Sequence, residues 1–323
     1  MTTAKSYPDE FVQSHREVLE AVRDPQLKTI LADFGRSLAK REQEEQAQEP
    51  AKQLPAKVIQ FPLFPEAKRP VSNDVARSAL FSCVQGKDRQ MLEDALLTTV
   101  DGVEIRFTGR QFNQDDHDVL MQLVFMAKHK ALGDYVTIPA YTILKALGRK
   151  TDGRSHAQLE TEMTRLIAGT VSLRNTKLKI KYIGHLVDDA LQDEASRYWV
   201  YKFNPKLRTL YSPNAYTLID WEKRKNLKGK DLARWLHLYF ATHAAPFPVS
   251  VEFIRRESGS RTAALREFRR MLRYALDDLK ANGDIAAWEI DDNDLVNVDR
   301  GKAISDSQRR HLARPKASRS RKK

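Results

Sequence analysis

One order of elements is written into this chain twice, and that repetition limits the folds open to it more than any single motif does. In the first pass, "DDHDVLMQLVFMAKHKA" sets Val119, Leu120, Leu123, Val124 and Ala127 on one helical face, with acids at its start that suit the helix dipole. "DYVTIPAYTILKALGRKTDGRSHAQLETEMTRLIAGTVSLRN" then reads as a short extended piece, a short helix ending at Gly148, a polar turn with Gly153, and a second helix. That second helix is expected to open at Ser155, with Gln158 three residues on in capping-box position. "TVSLRN", "KLKIKYIGHLVDDAL" and "SRYWVYKF", rich in β-branched and aromatic residues, predict a β ribbon behind it. In the second pass, "GKDLARWLHLYFATHA" is a helix, "PFPVS" a strand, "VEFIRRES" a short helix and "GSRT" a turn. "AALREFRRMLRYALDDLKANG" follows as a long helix closed by Gly283, and "DIAAWEI" and "DLVNVD" as two strands. Helix, helix–turn–helix and ribbon is the order of a winged helix. The expected fold is therefore α+β, with tandem winged-helix domains at 73–210 and 211–299. A disordered or helical N-terminal extension (1–72) precedes them, and a disordered basic tail (300–323) follows.

Residues 8–48 read as a charged, mainly helical stretch in which Phe11, Val12, His15, Val18 and Leu19 share a face. "AKREQEEQAQEPAKQLPAK" has little to bury and reads as a linker. Charge is distributed unevenly. Of the net +12, +9 falls between Arg300 and Lys323, where ten Lys/Arg meet one acid, Asp306, so nucleic-acid binding by the folded part must rest on local patches. The tail itself either binds phosphate without sequence preference or keeps the protein in solution. A single cysteine, Cys83, excludes an intramolecular disulfide and a cysteine-built zinc site; a reducing interior and simple packing of the thiol are expected. No run approaches the length of a membrane span, and "MTTAKSYPDE" lacks the apolar core of a secretory signal, so the expectation is a cytoplasmic protein with no membrane partner.

In the long helix of the second unit, Arg266, Arg269, Arg270 and Arg273 fall at i, i+3, i+4 and i+7 and share a face. Leu265, Phe268, Leu272, Leu276 and Leu279 occupy another arc that would meet the core. Ser258, Ser260, Arg261 and Thr262 lie beside its N-terminal end. Arginine can donate two hydrogen bonds to guanine in the major groove, and hydroxyls at a helix start suit phosphate oxygens. An ordinary solvated face is the alternative, but such faces mix in acids, and only Glu267 interrupts these arginines before Asp277. The first unit offers Arg149, Lys150, Arg154, Ser155 and His156 at its turn and helix start, followed by Glu160 and Glu162. Arg174, Lys177, Lys179 and Lys181 on its ribbon either touch phosphates or protect an edge strand from pairing.

Enzymatic chemistry finds no foothold in the motifs. There is no Gly-rich phosphate loop before Gly-Lys-Ser/Thr, no His-Glu-x-x-His and no Gly-x-Ser-x-Gly. His237 and His243 are not at i, i+4, and no histidine pair flanks a single apolar residue as a rolling-circle nickase requires. The expectation is a binding protein without cofactor or metal.

"NDVARSALF", the block from Asp134 to Leu166, "YTLIDWEKRKNL" and "LDDLKANGDIAAWEIDDNDLV" together resemble the plasmid replication initiators of the TrfA type, related more distantly to the RepE and RepA initiators with paired winged helices. The resemblance runs from about Asn73 to Arg300. It implies binding to directly repeated double-stranded sites, called iterons, at a plasmid origin, opening of the adjacent duplex with contact to its single strand, and no nucleotide hydrolysis. It also implies a host initiator and a replicative helicase as partners, and exchange between monomer and dimer through the first winged helix. Members carry a peptide similar to Gln-Leu-Ser-Leu-Phe that docks on the DNA polymerase sliding clamp. "QFPLF" matches it at Gln60, Leu63 and Phe64 and departs at Phe61 and Pro62. The other reading of this segment is that Phe61, Leu63 and Phe64 pin the linker onto the first domain. A transcriptional repressor on the same fold, and a scaffold whose winged helices bind proteins, remain alternatives that clamp and DNA binding would separate.

Overall fold

The computed structural model describes residues 60–100, 102–177, 179–193, 195–303, 305, 308 and 309. The helix expected within residues 8–48, the linker after it and the basic arm beyond Arg309 lie outside the described residues.

Among the described residues two hydrophobic cores are present, one gathered around Val119, Leu144, Leu159 and Tyr201, the other around Trp235, Ile254, Phe268 and Leu276. The first is built on helix α2 (Gln114–Met126), strand β6 (Val136–Pro139), helices α3 (Ala140–Ala146) and α4 (Gly153–Ala168), and strands β9 (Asp189–Asp193) and β10 (Tyr198–Lys202), with the short α1 (Asn73–Ala76), β2 (Phe81–Ser82) and β5 (Phe112–Asn113) ahead of α2. The strands form a three-stranded antiparallel sheet in the order β6-β10-β9. The second repeats this plan with α6 (Asp231–Ala241), β12 (Val249–Ser250), α7 (Val251–Glu257), α8 (Leu265–Ala281), β13 (Ala287–Ile290) and β14 (Leu295–Asp299), and its sheet order is β12-β14-β13. Local chemistry sets the helix starts. Asn113 and Asp116 form a capping box at α2, and the Ser250 hydroxyl accepts from the Phe253 amide (3.1 Å) at α7.

The structure departs from the sequence-based expectation in three places. Helix α4 opens at Gly153, not Ser155: the Asp152 carboxylate is the cap, accepting from the Ser155 amide at 2.9 Å, and Gln158 instead donates to Glu162 (2.9 Å). The stretch expected to form the first unit's ribbon is divided. Strands β7 (Thr170–Asn175) and β8 (Ile180–His185) join a hairpin ahead of α2, β3 (Met91–Val100) and β4 (Val103–Arg110), in a separate antiparallel sheet of order β3-β4-β7-β8. Only β9 and β10 take the ribbon position. Alternation of buried Ile105 and Phe107 on β4 with Val171 and Leu173 on β7 binds this sheet to the first core.

The third place is "QFPLF", where the packing reading holds for Phe61 and Phe64 and not for Leu63. Phe61 is fully buried, edge-on to Phe203 and Tyr211 with ring centroids 5.6 and 5.2 Å away. Phe64 is buried against Tyr216, and its carbonyl accepts from Lys128 Nζ at 3.2 Å. Only Leu63 stands out, 67% exposed. Each buried phenylalanine contributes about 1.5–3 kcal/mol, so the segment belongs to the first core, ahead of the boundary expected at residue 72. It continues into β1 (Lys68–Ser72), which pairs antiparallel with β11 (Tyr216–Asp220), and thereby ties the chain before the first unit to the start of the second.

A seam of buried charge joins the two units. Arg224 of α5 (Trp221–Asn226) donates to Asp118 Oδ1 (2.7 Å) and Gln114 Oε1 (2.8 Å), and Arg234 of α6 donates to Asp115 (2.8 Å) and Asp118 (2.5 Å). Burial alone would raise the Asp118 carboxyl, but the two guanidiniums outweigh it and hold it below the usual carboxylate range. The acids at the start of α2 thus do more than suit its dipole. Trp235 Nε1 donates to the Ser78 carbonyl (3.0 Å) and Trp221 Nε1 to the Ala146 carbonyl (2.8 Å). At Gly259, where φ is +66°, an added Cβ would lie 2.6 Å from the Ser82 Cβ, so this crossing needs glycine.

Candidate nucleic-acid interface

Helix α8 buries Phe268, Leu272, Ala275, Leu276 and Leu279 and turns the opposite side to solvent. Arg266 and Arg273 are exposed there and form no ion pair among the described residues. Arg270 is exposed too, donating to Glu267 (3.1 and 2.5 Å) while its guanidinium lies 5.8 Å from the Tyr274 ring. Arg269 departs from the expected group: it turns aside to the β13–β14 turn and forms a two-bonded pair with Asp294 (2.8 and 2.5 Å). That bond, with the charge of Arg273 behind it, holds the Asp294 carboxyl low.

The turn ahead of α8 is only partly available. Ser258 is fully buried, its hydroxyl donating to the Arg255 carbonyl (3.2 Å) and its own carbonyl accepting from the Cys83 amide (2.8 Å), so it makes a structural contact and cannot reach a phosphate. Ser260 and Thr262 are half-buried with hydroxyls 3.3 Å apart, and Ala264 leaves the first amides of α8 without a side-chain cap. Arg261 is exposed and donates to Gln111 Oε1 (2.9 Å), reaching across to the first unit. Cys83 is half-buried against the second core, and burial pushes its thiol up to about 11.

The corresponding helix of the first unit, α4, presents less. Lys150 and Arg154 are exposed at its start, Ser155 is engaged with the capping Asp152, and His156 is half-buried. Burial, then the charge of Arg197 at the β9–β10 turn, lowers the His156 pKa. Arg149 is turned inward to buried Glu162 (2.5 Å), and Arg165 to buried Asp116 (2.8 Å). Burial raises the Glu162 carboxyl, and Arg149 opposes that shift. Beyond His156 a groove of about 570 Å³ is lined by Arg89, Arg110 and Arg165 but equally by Asp115, Glu160 and Glu162, so it makes no phosphate cradle. Arg174 and Lys181 face each other in register on β7 and β8, away from the ribbon position, and Lys177 and Lys179 flank the turn between those strands.

Three exposed residues lie outside the candidates read from the sequence: Arg197, Met271 and Tyr274. The last two stand on the solvent side of α8, 38% and 62% exposed. A helical wheel extended past Arg273 finds Tyr274, whereas Arg197 lies in a turn with no periodic signal. Among the described residues, no group of three or more His, Cys, Asp or Glu is placed to hold a metal ion, and no helix is long and apolar enough to cross a membrane.

The chain is 28% identical over 262 residues to the plasmid replication initiator protein TrfA of Escherichia coli, a match covering 77% of this chain and 66% of that protein. It is 24% identical over 240 residues to the replication protein RepA of Salmonella typhi, covering 70% of this chain and again 66% of the relative. Among solved structures, domains 2 and 3 of RctB align with a TM-score of 0.45 at 12% identity, over 65% of this chain and 85% of that one. The Pi initiator protein in complex with iteron DNA aligns with a TM-score of 0.44 at 15% identity, over 60% and 93%. The sequence model of the family described as TrfA protein matches residues 36–300, a stretch that takes in both cores, and the chain belongs to that family.

Proposed function

We propose that this chain is a plasmid replication initiator that binds iteron DNA through two winged-helix units. The observation that carries this reading is the outward face of α8, where Arg266, Arg270 and Arg273 stand exposed beside an uncapped helix start. In this reading α8 enters the major groove and the tip of α4, with Lys150, Arg154 and Arg197, adds phosphate contacts. Membership of the family and the names of the relatives support a role in starting replication. Binding to the repeats then leads to opening of the adjacent duplex and recruitment of helicase, host initiator and sliding clamp, with monomer–dimer exchange as control. The protein catalyses no step itself and needs no cofactor.

Capture of the sliding clamp makes a specific demand on the structure. Leu63 is available, but Phe64 must leave its place against Tyr216 and give up the Lys128 bond before both can enter a clamp pocket. The same burial favours a second reading, a transcriptional repressor in which "QFPLF" only packs.

Binding of direct-repeat origin DNA and of the sliding clamp separates the two. Arg266→Ala/Arg273→Ala is expected to lose specific DNA and keep the clamp. Leu63→Ala, at an exposed position, is expected to lose the clamp and keep DNA. A clamp that ignores the unaltered protein, together with preference for a palindrome over direct repeats, would replace the initiator reading with the repressor.

A further inference from the structure

Resting on that DNA-binding reading, we propose that Tyr274 and Met271 read thymine through its 5-methyl group in the major groove. On α8, Arg266, Arg270 and Tyr274 follow at i, i+4 and i+8, so they drift by only about 40° per step and form one stripe about 12 Å long. That length matches the major groove, about 12 Å wide. The stripe lies opposite the buried Phe268, Leu272 and Leu279, so it is the line on the helix that a groove would meet first.

Tyr274 is the large apolar residue on this line. The residue is 62% exposed, and the Arg270 guanidinium lies 5.8 Å from the ring centroid. Met271 stands at the flank, 38% exposed, its sulfur accepting from the Thr262 hydroxyl at 3.5 Å, which holds the thioether beside the start of the helix. Both residues keep apolar surface that the core of the unit does not cover. A partner that buries them must also meet the positive charge of Arg266, Arg270 and Arg273 around them, and duplex DNA supplies the opposite charge in its phosphates. Within the major groove the bases present hydrogen-bond donors and acceptors and small C–H edges; the thymine methyl is the one protruding apolar group. Arginines flanking an apolar pair therefore fit a site in which guanines lie beside thymines.

The test uses the full-length protein and the tightest duplex recovered from a randomised library, synthesised with thymine or with deoxyuridine in its place. Uracil keeps the pairing edge and the O4 acceptor and removes only the methyl. The unaltered protein is expected to bind the uracil duplex about fourfold more weakly for each methyl it contacts. Tyr274→Ala and Met271→Ala should bind the thymine duplex more weakly and discriminate less, while Tyr274→Phe, which keeps the ring, should discriminate as the unaltered protein does. Equal binding of the two duplexes by the unaltered protein overturns the proposal. So does full discrimination by both alanine variants, a result that would leave Tyr274 to a protein partner. If no recovered duplex binds better than random DNA, the DNA-binding reading itself falls, and this inference with it.

Discussion

Helices α4 and α8 hold the same place in their two units and assign their arginines in opposite directions. Around α4, Arg149 and Arg165 point inward to Glu162 and Asp116, both buried. On α8, Arg266, Arg270 and Arg273 point outward over a floor of leucine, phenylalanine and alanine. The cause lies beneath each helix. Below α4 runs the acidic start of α2, α4 itself buries the carboxylate of Glu162, and a buried charge must be paired. The residues α8 buries are all apolar, so Arg266 and Arg273 find no carboxylate among the described residues, while Arg269 and Arg270 pair at the surface with Asp294 and Glu267. An arginine-rich segment is therefore not evidence of a binding face until what it packs on is known.

The sharpest way to break this contrast is to delete an inward arginine. Arg149→Ala leaves Glu162 buried without its cation, and the expected loss of stability is about 3–5 kcal/mol, read from urea unfolding at neutral pH. Because burial already raises the Glu162 carboxyl, the variant can take up a proton there, so the loss should shrink as the pH is lowered. A loss below about 1 kcal/mol at neutral pH would mean that Arg149 is no part of the fold's support.

The outward arginines should behave in the reverse way. Arg266→Ala/Arg273→Ala is expected to change stability by no more than about 0.5 kcal/mol, since neither side chain forms an ion pair among the described residues. Specific DNA binding should weaken by about 1–3 kcal/mol for each arginine that contacts a base, measured against the selected duplex at fixed salt. Weakening shared equally by random DNA would assign these side chains to phosphates instead.

Much of this contrast was legible in the sequence, and the parts that were not have physical causes. The arginine spacing on α8 is local, so the shared face of Arg266, Arg270 and Arg273 could be read directly. The loss of Arg269 to Asp294 could not, because that partner arrives from a hairpin 25 residues later in the chain. Ser258 looked like part of a helix–turn contact, yet the Cys83 amide of the first unit closes over it. The sheet formed by β3, β4, β7 and β8 is not legible, because strand pairing across 60 or more residues leaves no local mark and the β-branched pattern of β7 and β8 alone suits a ribbon equally well. "QFPLF" posed the same problem: the rings that cover Phe61, Phe203 and Tyr211, lie far along the chain.

Acidification should separate interior from surface by a different route. His117, stacked on Phe81 with centroids 4.1 Å apart, and His237 are both buried, and burial pushes each down to about 3. Unfolding frees them to take up protons near pH 6.5, so the unfolded state binds more protons between about pH 6.5 and 3, and stability falls as the pH falls through that window. The slope is about 1.4 kcal/mol per pH unit for each histidine. Burial raises Asp231 and Asp284, and those carboxyls offset part of the loss at the lower end of the window by gaining protons in the folded state. His237→Gln should remove about half of the drop in urea midpoint between pH 7 and 5.5. An unchanged drop would place the acid sensitivity elsewhere.

The smallest effect expected lies at the tip of α4, and it decides whether the first unit reads sequence at all. Lys150 and Arg154 are exposed beside the capping Asp152, whose carboxyl is held low by the Ser155 amide and hydroxyl and then by those two cations. An acid at this position weakens the helix start as an anion site, and the surrounding cations restore only local attraction. Such a tip suits a phosphate brushing past better than a base edge. Arg154→Ala should therefore weaken selected and random duplexes alike, by less than about 1 kcal/mol, and reduce the dependence of log K on log salt by about one. A larger loss confined to the selected duplex would show that α4, for all its inward arginines, reads bases as α8 is proposed to do.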